Sequence, residues 1–366
     1  MRIVQIILSN SFAGAERLVY YLSSNFKKSK TECSIITNDD LKKYFNSFNA
    51  IVIGKFSDKT KFNIQLSIFK FKKILFEAIK KIKPEIIHCH SNIPTILYSK
   101  IFNKLKIPYV ITLHGSDVYN FVNSKSIIYK IFTKPQFKKA LDNAALITSV
   151  SSSQIKNLPE KYKKKTIVIP NGVDSKIFKP LKNIKQNKNV VLFVSRFIDI
   201  KGIRELINVA KQLPKYEFWF AGKGELEYLI KGKNIKNLGF KTTEELVKLY
   251  NQATICIFPS YREGFPLCGL EAMACGCSVI ATPLGFSEYI ENNKDGIIIP
   301  AKDEKALKKA IVKLMTNEKL RKKLGKNSRK KALKYSWSKV AERYLEVFEK
   351  VIKDTPQIKL KKLSPL

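Results

Sequence analysis

The stretch TICIFPSYREGFPLCGLEAMACGCSVIATP, Thr254 to Pro283, is the most informative about the fold because it contains a strand, a helix and a second strand in order. The apolar runs TICIFPS and SVIATP are typical of buried strands. Pro266 suits the first turn of a helix, so LCGLEAMAC between them is predicted to be helical. Nearly continuous apolar strands joined through a helix predict a parallel sheet that is covered on both faces.

The same alternation runs along the whole chain in two series. The first series of strand-like runs is RIVQIIL, ECSIIT, IVIG, EIIHCH, YVITLH, ALITSV and TIVIP. The second is NVVLFVS, YEFWFAG, TICIFPS, SVIATP and GIIIP. Lysine-rich amphipathic segments separate them, and two such series predict an α/β protein with two doubly wound, Rossmann-like domains.

The polar stretch PLKNIKQNKN, residues 180–189, marks the expected domain boundary. We expect a first domain at 1–180 and a second domain at 181–337. An amphipathic helix at about 338–353 is expected to pack back on the first domain, and 354–366 to form a frayed tail.

The net charge of +38 comes mostly from lysine, since only 8 of the 68 basic residues are arginines. A protein that reads base edges favours arginine, so a nucleic-acid-binding protein is only a remote alternative. Two interpretations of the lysine excess stay open: compositional bias on solvated faces, or adaptation to anionic membranes and polyanionic substrates. Six scattered cysteines without a disulfide framework predict a cytoplasmic chain.

In doubly wound sheets ligands bind beyond the carboxyl ends of the strands, so residues that follow strands are the candidates. Gly14 precedes a helix whose first backbone N–H groups can bind an anion. The G-x-G-x-x-G pattern is absent there, which argues against a nicotinamide enzyme. His114 ends a buried strand and is either a polar group that lines a cleft or a satisfied core histidine.

His88 and His90 alternate along one strand and therefore share a face. A polar lining is favoured over zinc, because a third ligand is not evident. In the second half, SRFIDIKG places Arg196 after a strand and Lys201 before a helix, which suits a pyrophosphate. Arg196 is the stronger signal because arginine is scarce in this chain.

Glu263 lies in the loop before the predicted helix of the opening stretch, and Glu271 lies inside it, so the two can reach different parts of one ligand. Cys268 and Cys275 are seven residues apart, or about 10.5 Å along a helix. Two sulfur ligands of one zinc lie within roughly 4 Å of each other. The cysteines are therefore interpreted as small apolar fillers. Gly269, Ala272, Ala274 and Gly276 are expected to let the helix approach a sheet or a ligand closely.

The motif Glu263-Gly264-Phe265-Pro266 with Glu271-Ala272-Met273-Ala274 resembles the paired-glutamate motif of retaining, group 1 glycosyl transferases of glycosyltransferase family 4. The further similar segments are SRFIDIKG, PNGVDSKIF (170–178), TLHGSD, VSSSQIKNL and YSWSKVAERY. The resemblance spans nearly the whole chain. It implies the GT-B fold, in which two Rossmann-like domains face each other across a cleft.

The resemblance also implies the roles of individual residues. At the reacting centre it places Glu263 at the donor sugar hydroxyls, Arg196 and Lys201 at the diphosphate, and His114 beside the transferred sugar. The other implied donor-binding residues are Gly14 at the phosphates, Phe240 at the base, Glu271 at the ribose, and Gly264, Phe265 and Leu267. The chain departs from the family in having Ala13-Gly14 where two adjacent glycines are frequent.

The implied activity is transfer of a sugar, with retention, from a nucleotide diphosphate donor to a glycan or lipid-linked acceptor in bacterial surface polysaccharide or lipopolysaccharide biosynthesis. A UDP-sugar is favoured over a GDP-sugar, and neither a metal, another cofactor nor a nucleic-acid partner is implied. A synthase of the same fold that uses a small soluble acceptor is the alternative.

The segment from Val118 to Leu141 lacks acidic residues and alternates lysines with aromatic residues. These are Lys125, Lys130, Lys134, Lys138 and Lys139 with Tyr119, Phe121, Tyr129, Phe132 and Phe137. FKFKKILFEAIKKIK, residues 69–83, has a similar pattern. Each segment is either an amphipathic helix with solvated lysines or a peripheral contact with the anionic inner face of the plasma membrane.

Overall fold

The computed structural model describes residues 1–54, 61–127 and 129–355, without the side chains of 61–70 and Asn92. The chain forms two compact units. The first contains Met1–Pro170 and the C-terminal residues from Trp337, and the second is Asn171–Ser336. The division falls after Pro170, whereas the sequence suggested 180/181, so PNGVDSKIF lies almost entirely in the second unit.

The first unit is built on a seven-stranded parallel sheet with the order β3-β2-β1-β4-β5-β6-β7. Its strands are β1 (Arg2–Ile6), β2 (Glu32–Thr37), β3 (Asn49–Val52), β4 (Ile86–His90), β5 (Tyr109–Leu113), β6 (Leu146–Ser149) and β7 (Thr166–Val168). β4 and β5 are buried along their whole length, which explains their unbroken apolar runs. The strand order changes direction between β1 and β4, so the residues that follow these strands lie at a topological switch point.

The helices between these strands are α1 (Gly14–Lys28), α2 (Asp39–Lys42), α3 (Lys61–Ile82), α4 (Asn92–Lys104), α5 (Ser116–Asn123), α6 (Lys134–Asn143), α7 (Ser152–Ile155) and α8 (Glu160–Lys163). A π-helical turn, Tyr129–Thr133, precedes α6. A strand–helix alternation of this kind is what the periodicity of the sequence predicts.

The second unit is built on a six-stranded parallel sheet with the order β10-β9-β8-β11-β12-β13. Its strands are β8 (Val190–Val194), β9 (Glu217–Ala221), β10 (Ile235–Gly239), β11 (Ile255–Phe258), β12 (Ser278–Ala281) and β13 (Ile297–Ile298). Its helices are α9 (Ile203–Lys211), α10 (Thr243–Gln252), α11 (Leu267–Ala274), α12 (Pro283–Phe286), α13 (Glu304–Thr316) and α14 (Glu318–Ala332). The switch point of this sheet lies between β8 and β11, the strands that precede Arg196 and Glu263.

The last described helix, α15 (Trp337–Asp354), belongs to the first unit and packs on α1. The rings of Tyr21 and Trp337 stack with centroids 4.7 Å apart, and Phe26 meets Phe348 edge-on at 6.2 Å. From residue 356 onward the predicted tail lies outside the described residues. No helix among the described residues has the length and apolar content needed to cross a bilayer.

Candidate active site

The turn after β8 presents Arg196 at the surface of the second unit. Two backbone hydrogen bonds hold this turn to the loop after β9: Ser195 N–H to the Ala221 carbonyl (3.1 Å) and Phe197 N–H to the Lys223 carbonyl (2.8 Å). The loops approach so closely that a Cβ on Gly222 would lie 1.8 Å from the Ser195 carbonyl oxygen. The backbone that carries the exposed guanidinium is therefore fixed on both sides.

Lys201 and Glu263 form the central contact of this unit. Lys201 Nζ lies 2.5 Å from Glu263 Oε1, and the two side chains are only 11% and 12% exposed. The pair is therefore largely removed from water. The attraction between two charges is stronger in such a place than at the exposed surface. The structure brings together two residues that the sequence assigned to the diphosphate and to the sugar.

Two backbone features join the turn that carries Lys201 to the segment after β11. Tyr261 N–H donates to the Ile200 carbonyl at 2.8 Å. Gly202 has a φ of 70°, and a Cβ there would lie 2.1 Å from the carbonyl oxygen of Pro259. Only glycine combines this left-handed conformation with this close approach. The close packing of these two segments places Lys201 against the loop of Glu263.

Two further residues, Gly285 and Asn171, contact the loop that carries Glu263. Gly285 has a φ of 83°, and a Cβ there would lie 2.6 Å from Glu263 Cβ and 3.0 Å from the Gly264 carbonyl oxygen. Asn171 Nδ2 donates to the Phe265 carbonyl at 3.3 Å. These two residues, which the sequence did not assign to the site, restrict where the Glu263 carboxylate can lie.

α11 begins at Leu267, with Pro266 as the residue before it, close to the expected helix start. Phe265 and Leu267 are buried, and the Phe265 ring packs on Tyr289 with centroids 4.9 Å apart. A Cβ on Gly269 would lie 2.4 Å from the Tyr289 hydroxyl, so the absence of a side chain at this position lets Tyr289 pack against the helix. The small residues of the helix therefore serve internal packing, and the buried side chains of Phe265 and Leu267 leave only their backbone groups for a ligand.

Glu271 lies in α11 and is 4% exposed. The Tyr250 hydroxyl donates to Glu271 Oε2 at 3.4 Å. Burial raises the pKa of Tyr250 well above its usual value, and the nearby Glu271 carboxylate raises it further, so this phenol remains a donor. The carboxylate is held on the inner side of the helix and oriented by a neutral partner.

Phe240 follows β10 and is 69% exposed, among the most exposed large apolar side chains of the described residues. Gly239 before it has a φ of 68°, which turns the chain sharply at the end of the strand. An aromatic ring held at a strand end without burial is suited to stacking on a planar ligand.

Gly14 is the first residue of α1, and a Cβ there would meet no atom within 4 Å. The protein itself thus does not require glycine at this position. Glu16, which is 4% exposed, accepts a hydrogen bond from Ala13 N–H at 2.8 Å and occupies one donor of the helix start. An anion at this end would therefore use the remaining backbone donors.

The three histidines lie together: His88 is in the middle of β4, His90 ends that strand, and His114 follows β5. The rings of His88 and His90 have centroids 4.0 Å apart, and His90 Nδ1 lies 3.3 Å from His114 Nε2. His88 and His90 are fully buried and His114 is half-buried. Burial lowers the pKa of His88 to about 3 and of His114 to about 4, and it lowers the pKa of His90 well below its usual value. All three are neutral imidazoles at physiological pH.

The cysteines are all free thiols. Cys256 and Cys277 lie 2.9 Å apart between their sulfurs in the core of the second unit. Burial, with the nearby Glu263 carboxylate, raises the pKa of Cys268 to about 12, so it remains a thiol. Within the described parts of the chain, no three histidine, cysteine or acidic residues are grouped as metal ligands.

The comparisons with known proteins agree with this architecture. The Glycosyltransferase Family 4 model matches residues 12–176, and the model described as Glycosyl transferases group 1 matches residues 174–331. An uncharacterized glycosyltransferase of Methanocaldococcus jannaschii is 31% identical over 329 residues, which cover 87% of this chain and 90% of that protein.

A Campylobacter jejuni protein is 25% identical over 367 residues, which cover 96% of this chain and 99% of that protein. It is named GalNAc-alpha-(1->4)-GalNAc-alpha-(1->3)-diNAcBac-PP-undecaprenol alpha-1,4-N-acetyl-D-galactosaminyltransferase. Among solved structures, Anabaena HepE in complex with UDP and glucose has a TM-score of 0.78 at 16% identity, covering 96% of this chain and 100% of that one.

Two parallel-sheet α/β units with these structural neighbours define a glycosyltransferase of the GT-B fold. The chain belongs to glycosyltransferase family 4, in the group 1 glycosyl transferases. The predicted fold class, family and enzyme class are thereby confirmed.

Proposed function

We propose that the protein is a retaining glycosyltransferase that moves a sugar from a nucleotide diphosphate donor to a glycan or lipid-linked acceptor in bacterial surface polysaccharide or lipopolysaccharide biosynthesis. The observation that carries this proposal is the 2.5 Å contact between Lys201 and Glu263 at the switch point of the second sheet. Lys201, with Arg196 exposed in the same loop, provides cations for a diphosphate, and Glu263 provides hydrogen-bond acceptors for the hydroxyls of a sugar.

Each charged residue has a role that follows from the bond that breaks. Departure of the diphosphate builds negative charge on its oxygens and positive charge on the sugar. Arg196 and Lys201 stabilise the former, and preorganised charges of this kind lower barriers strongly. Glu263 binds hydroxyls of the transferred sugar once Lys201 turns toward the phosphates.

The nucleoside end of the donor is assigned to two other residues of the second unit. Glu271 accepts from the ribose hydroxyls, and Phe240 stacks on the base. A UDP-sugar is favoured, with support from the UDP complex of the structural neighbour HepE. Gly14 contributes backbone donors to the phosphates, and His114 contacts the transferred sugar.

Retention is proposed to proceed by departure of the diphosphate and attack of the acceptor on the same face of the sugar. A double displacement needs a carboxylate nucleophile at the anomeric carbon, and the carboxylates Glu263 and Glu271 are assigned here to binding hydroxyls. The departing diphosphate takes the acceptor proton, and the two cations neutralise it without a metal.

A lipid-linked acceptor is supported by the name of the Campylobacter jejuni relative, which contains undecaprenol. It is also supported by a surface patch that we define as Tyr119, Val122, Ile127, Ile131 and Phe132. These side chains are between 40% and 71% exposed. Lys125 and Lys130 are exposed in the same segment, as expected of a surface that binds an anionic bilayer.

The structure separates this patch from aromatic residues that the sequence grouped with it. Phe121 and Phe137 are buried and pack against each other with centroids 5.8 Å apart. Phe71 and Phe76 of the second lysine-rich segment are also buried, so the described part of that segment is a core helix with solvated lysines. The side chains of Phe69 and Lys70 lie outside the described residues.

Flotation with liposomes tests the membrane contact. The wild type is expected to float with vesicles that contain phosphatidylglycerol and to stay behind with neutral vesicles, in a salt-sensitive manner. Ile131→Ser with Phe132→Ser should abolish flotation, and Tyr228→Ser, a change at another exposed aromatic residue, should not. Equal flotation of the patch variant would refute the patch.

The activity itself is tested with undecaprenyl-diphosphate-linked saccharides and a panel of UDP-, GDP- and ADP-sugars. Transfer from a UDP-sugar, with the donor's α-configuration preserved in the product by NMR, is the expected result. Inversion would contradict retention. Transfer only to free sugars or sugar phosphates would contradict the acceptor class.

A further inference from the structure

The histidines of the first unit belong to a buried chain of hydrogen bonds that begins at Gln5 on β1. Gln5 Oε1 lies 3.1 Å from His90 Nε2, and His90 Nδ1 lies 3.3 Å from His114 Nε2. Gln5 and His90 have no exposed surface, whereas His114 is half-buried at the end of β5. The chain therefore leads from the middle of the sheet to its carboxyl edge.

The direction of these hydrogen bonds is set by the surroundings of the Gln5 amide. Its Nε2 lies 2.6 Å from Ser23 Oγ and 3.4 Å from the carbonyl oxygen of Val19. A backbone carbonyl only accepts, so the side of the amide that faces Val19 must be the NH₂ group. The amide oxygen consequently faces His90.

This orientation determines the tautomers of both histidines. An amide oxygen only accepts, so His90 Nε2 must carry the hydrogen and donate it to Gln5. Because burial lowers the pKa of His90 well below its usual value, the ring is neutral and its Nδ1 is an acceptor. His114 Nε2 therefore carries a hydrogen and donates it to His90.

The remaining nitrogen of this chain is Nδ1 of His114. It has no hydrogen-bond partner among the residues that the structure describes, and in this tautomer it bears a lone pair. The backbone N–H of His114 donates to Asp117 Oδ2 at 3.0 Å, which fixes the main chain at the same point. The ring thus presents an acceptor of defined position.

We propose that Gln5 and His90 are positioning residues that hold His114 as the Nε2–H tautomer, so that its Nδ1 accepts a hydrogen bond from a hydroxyl of the transferred sugar. This role rests on the proposed function, in which His114 contacts that sugar. We call the hydrogen-bonded series Gln5–His90–His114 the relay. The proposal predicts that changes in the relay alter recognition of the sugar and leave recognition of the nucleotide unchanged.

Nitrogen-15 NMR of histidine-labelled protein tests the tautomers without any substrate. The protein has only three histidines, so the spectrum is simple. The expected result is a protonated Nε2 and an unprotonated Nδ1 for both His90 and His114. A protonated Nδ1 on His114 in the wild type overturns the proposal, and this measurement requires no variant.

Gln5→Met removes the amide with little change of volume and should release the preference of His90 and His114 for one tautomer. Tyr344→Phe is the matched control, because its hydroxyl reaches Thr112 and Thr148 on neighbouring strands, outside the Gln5–His90–His114 chain. This control should leave the His90 and His114 signals in place. Loss of the tautomer preference in Tyr344→Phe alone would overturn the relay.

Calorimetric titration then links the relay to the sugar. Gln5→Met should bind UDP as the wild type does and bind UDP-glucose or UDP-N-acetylgalactosamine about three- to tenfold more weakly, as expected for a misdirected hydrogen bond. Unchanged binding of both UDP-sugars overturns the proposed role in sugar recognition. A wild type that binds neither UDP nor these UDP-sugars would count against the proposed function, while the tautomers stand on the NMR result.

Discussion

Lys201 Nζ and Glu263 Oε1 lie 2.5 Å apart although 62 residues separate them in the sequence. The proposed function assigns each to a different part of the donor, and in the structure the two side chains pair with each other. The two side chains are only 11% and 12% exposed, so each charge is compensated mainly by the other and little by solvent. The charges of the two side chains offset each other, and under the proposed function a diphosphate binds the lysine while the sugar hydroxyls bind the glutamate.

Removal of one partner should therefore cost stability as well as function. Lys201→Met should lower the free energy of unfolding by about 3 kcal/mol, because it leaves a nearly buried carboxylate without a partner. The double variant Lys201→Met with Glu263→Gln should recover most of this loss and remain inactive. Urea denaturation of the wild type, Lys201→Met, Glu263→Gln and the double variant completes a double-mutant cycle. It measures the coupling free energy between Lys201 and Glu263.

Lys294→Met is the matched control for that cycle. Lys294 pairs with Glu291 at 2.9 Å, but the two side chains are 65% and 56% exposed. An exposed pair of this kind contributes about 0–1 kcal/mol. If Lys201→Met proved no more destabilising than this control, the pair would not be the buried contact described here.

Gly285→Ala should reduce activity by displacing Glu263. An alanine Cβ would lie 2.6 Å from Glu263 Cβ, and the φ of 83° adds strain. Gly276→Ala has nearly the same strain, with a φ of 81°, but its Cβ would meet the nearest atom, Pro180 Cγ, at an ordinary 3.6 Å. Both should lose stability through backbone strain, Gly285→Ala more because of its clash, whereas only Gly285→Ala should lose turnover. Equal activities of the two variants would contradict the positioning of Glu263 by Gly285.

Phe240→Ala should weaken binding of the nucleotide without affecting folding. Loss of stacking on a base costs about 1–3 kcal/mol, so Kd for UDP should rise about 5- to 150-fold. Because Phe240 is 69% exposed, the melting temperature should stay unchanged. Leu333→Ala, at another exposed apolar residue of the same unit, serves as the control. An unaltered Kd in Phe240→Ala would exclude the base contact.

The neutral histidines should make stability fall with decreasing pH. The folded-state pKa is about 3 for His88 and about 4 for His114, below the value of 6.5 expected in the unfolded chain. Below pH 6.5 the unfolded state therefore binds protons that the folded state does not. The contribution of these histidines to the free energy of unfolding is fully present above this pH. It falls by up to about 1.4 kcal/mol per histidine per pH unit as the pH falls toward 4.

Urea denaturation at pH 7.5, 6.0 and 5.0 measures this slope. His114→Asn removes one titrating group. It should reduce the slope of the free energy of unfolding against pH by the equivalent of up to one bound proton, whatever its effect on the absolute stability. Equal slopes in the wild type and His114→Asn would show that His114 binds as many protons in the folded as in the unfolded state, which would contradict its lowered pKa.

Much of the fold followed from the sequence, because buried parallel strands have unbroken apolar runs that local patterns reveal. Arg196 at a strand end and Glu271 in a helix were placed for the same reason. Long-range contacts were not: the pairing of Lys201 with Glu263 depends on the Tyr261–Ile200 hydrogen bond, which leaves no local pattern. Gln5 interrupts an apolar strand, and its role depends on partners from α1 and β4.

The aromatic residues between Val118 and Leu141 show a second limit of the sequence. Phe121 is 4% exposed and Phe132 is 62% exposed, although both alternate with lysines in the same way. Which face is buried depends on where α5 and α6 begin and end, and a π-helical turn lies between them. Composition identified the segment, but only the structure separates its core residues from its surface patch.

The assignment of Arg196 to the diphosphate and of Glu263 to the sugar is tested most simply by turnover of a UDP-sugar in the wild type, Arg196→Ala and Glu263→Ala. Arg343→Ala is the control, because Arg343 pairs with Glu346 on the exposed face of α15. Both site variants should lose at least about 100-fold in kcat, as removal of preorganised charge from a reacting centre does, and the control should keep the wild-type rate. Near-normal turnover in Arg196→Ala or Glu263→Ala would contradict the assignment.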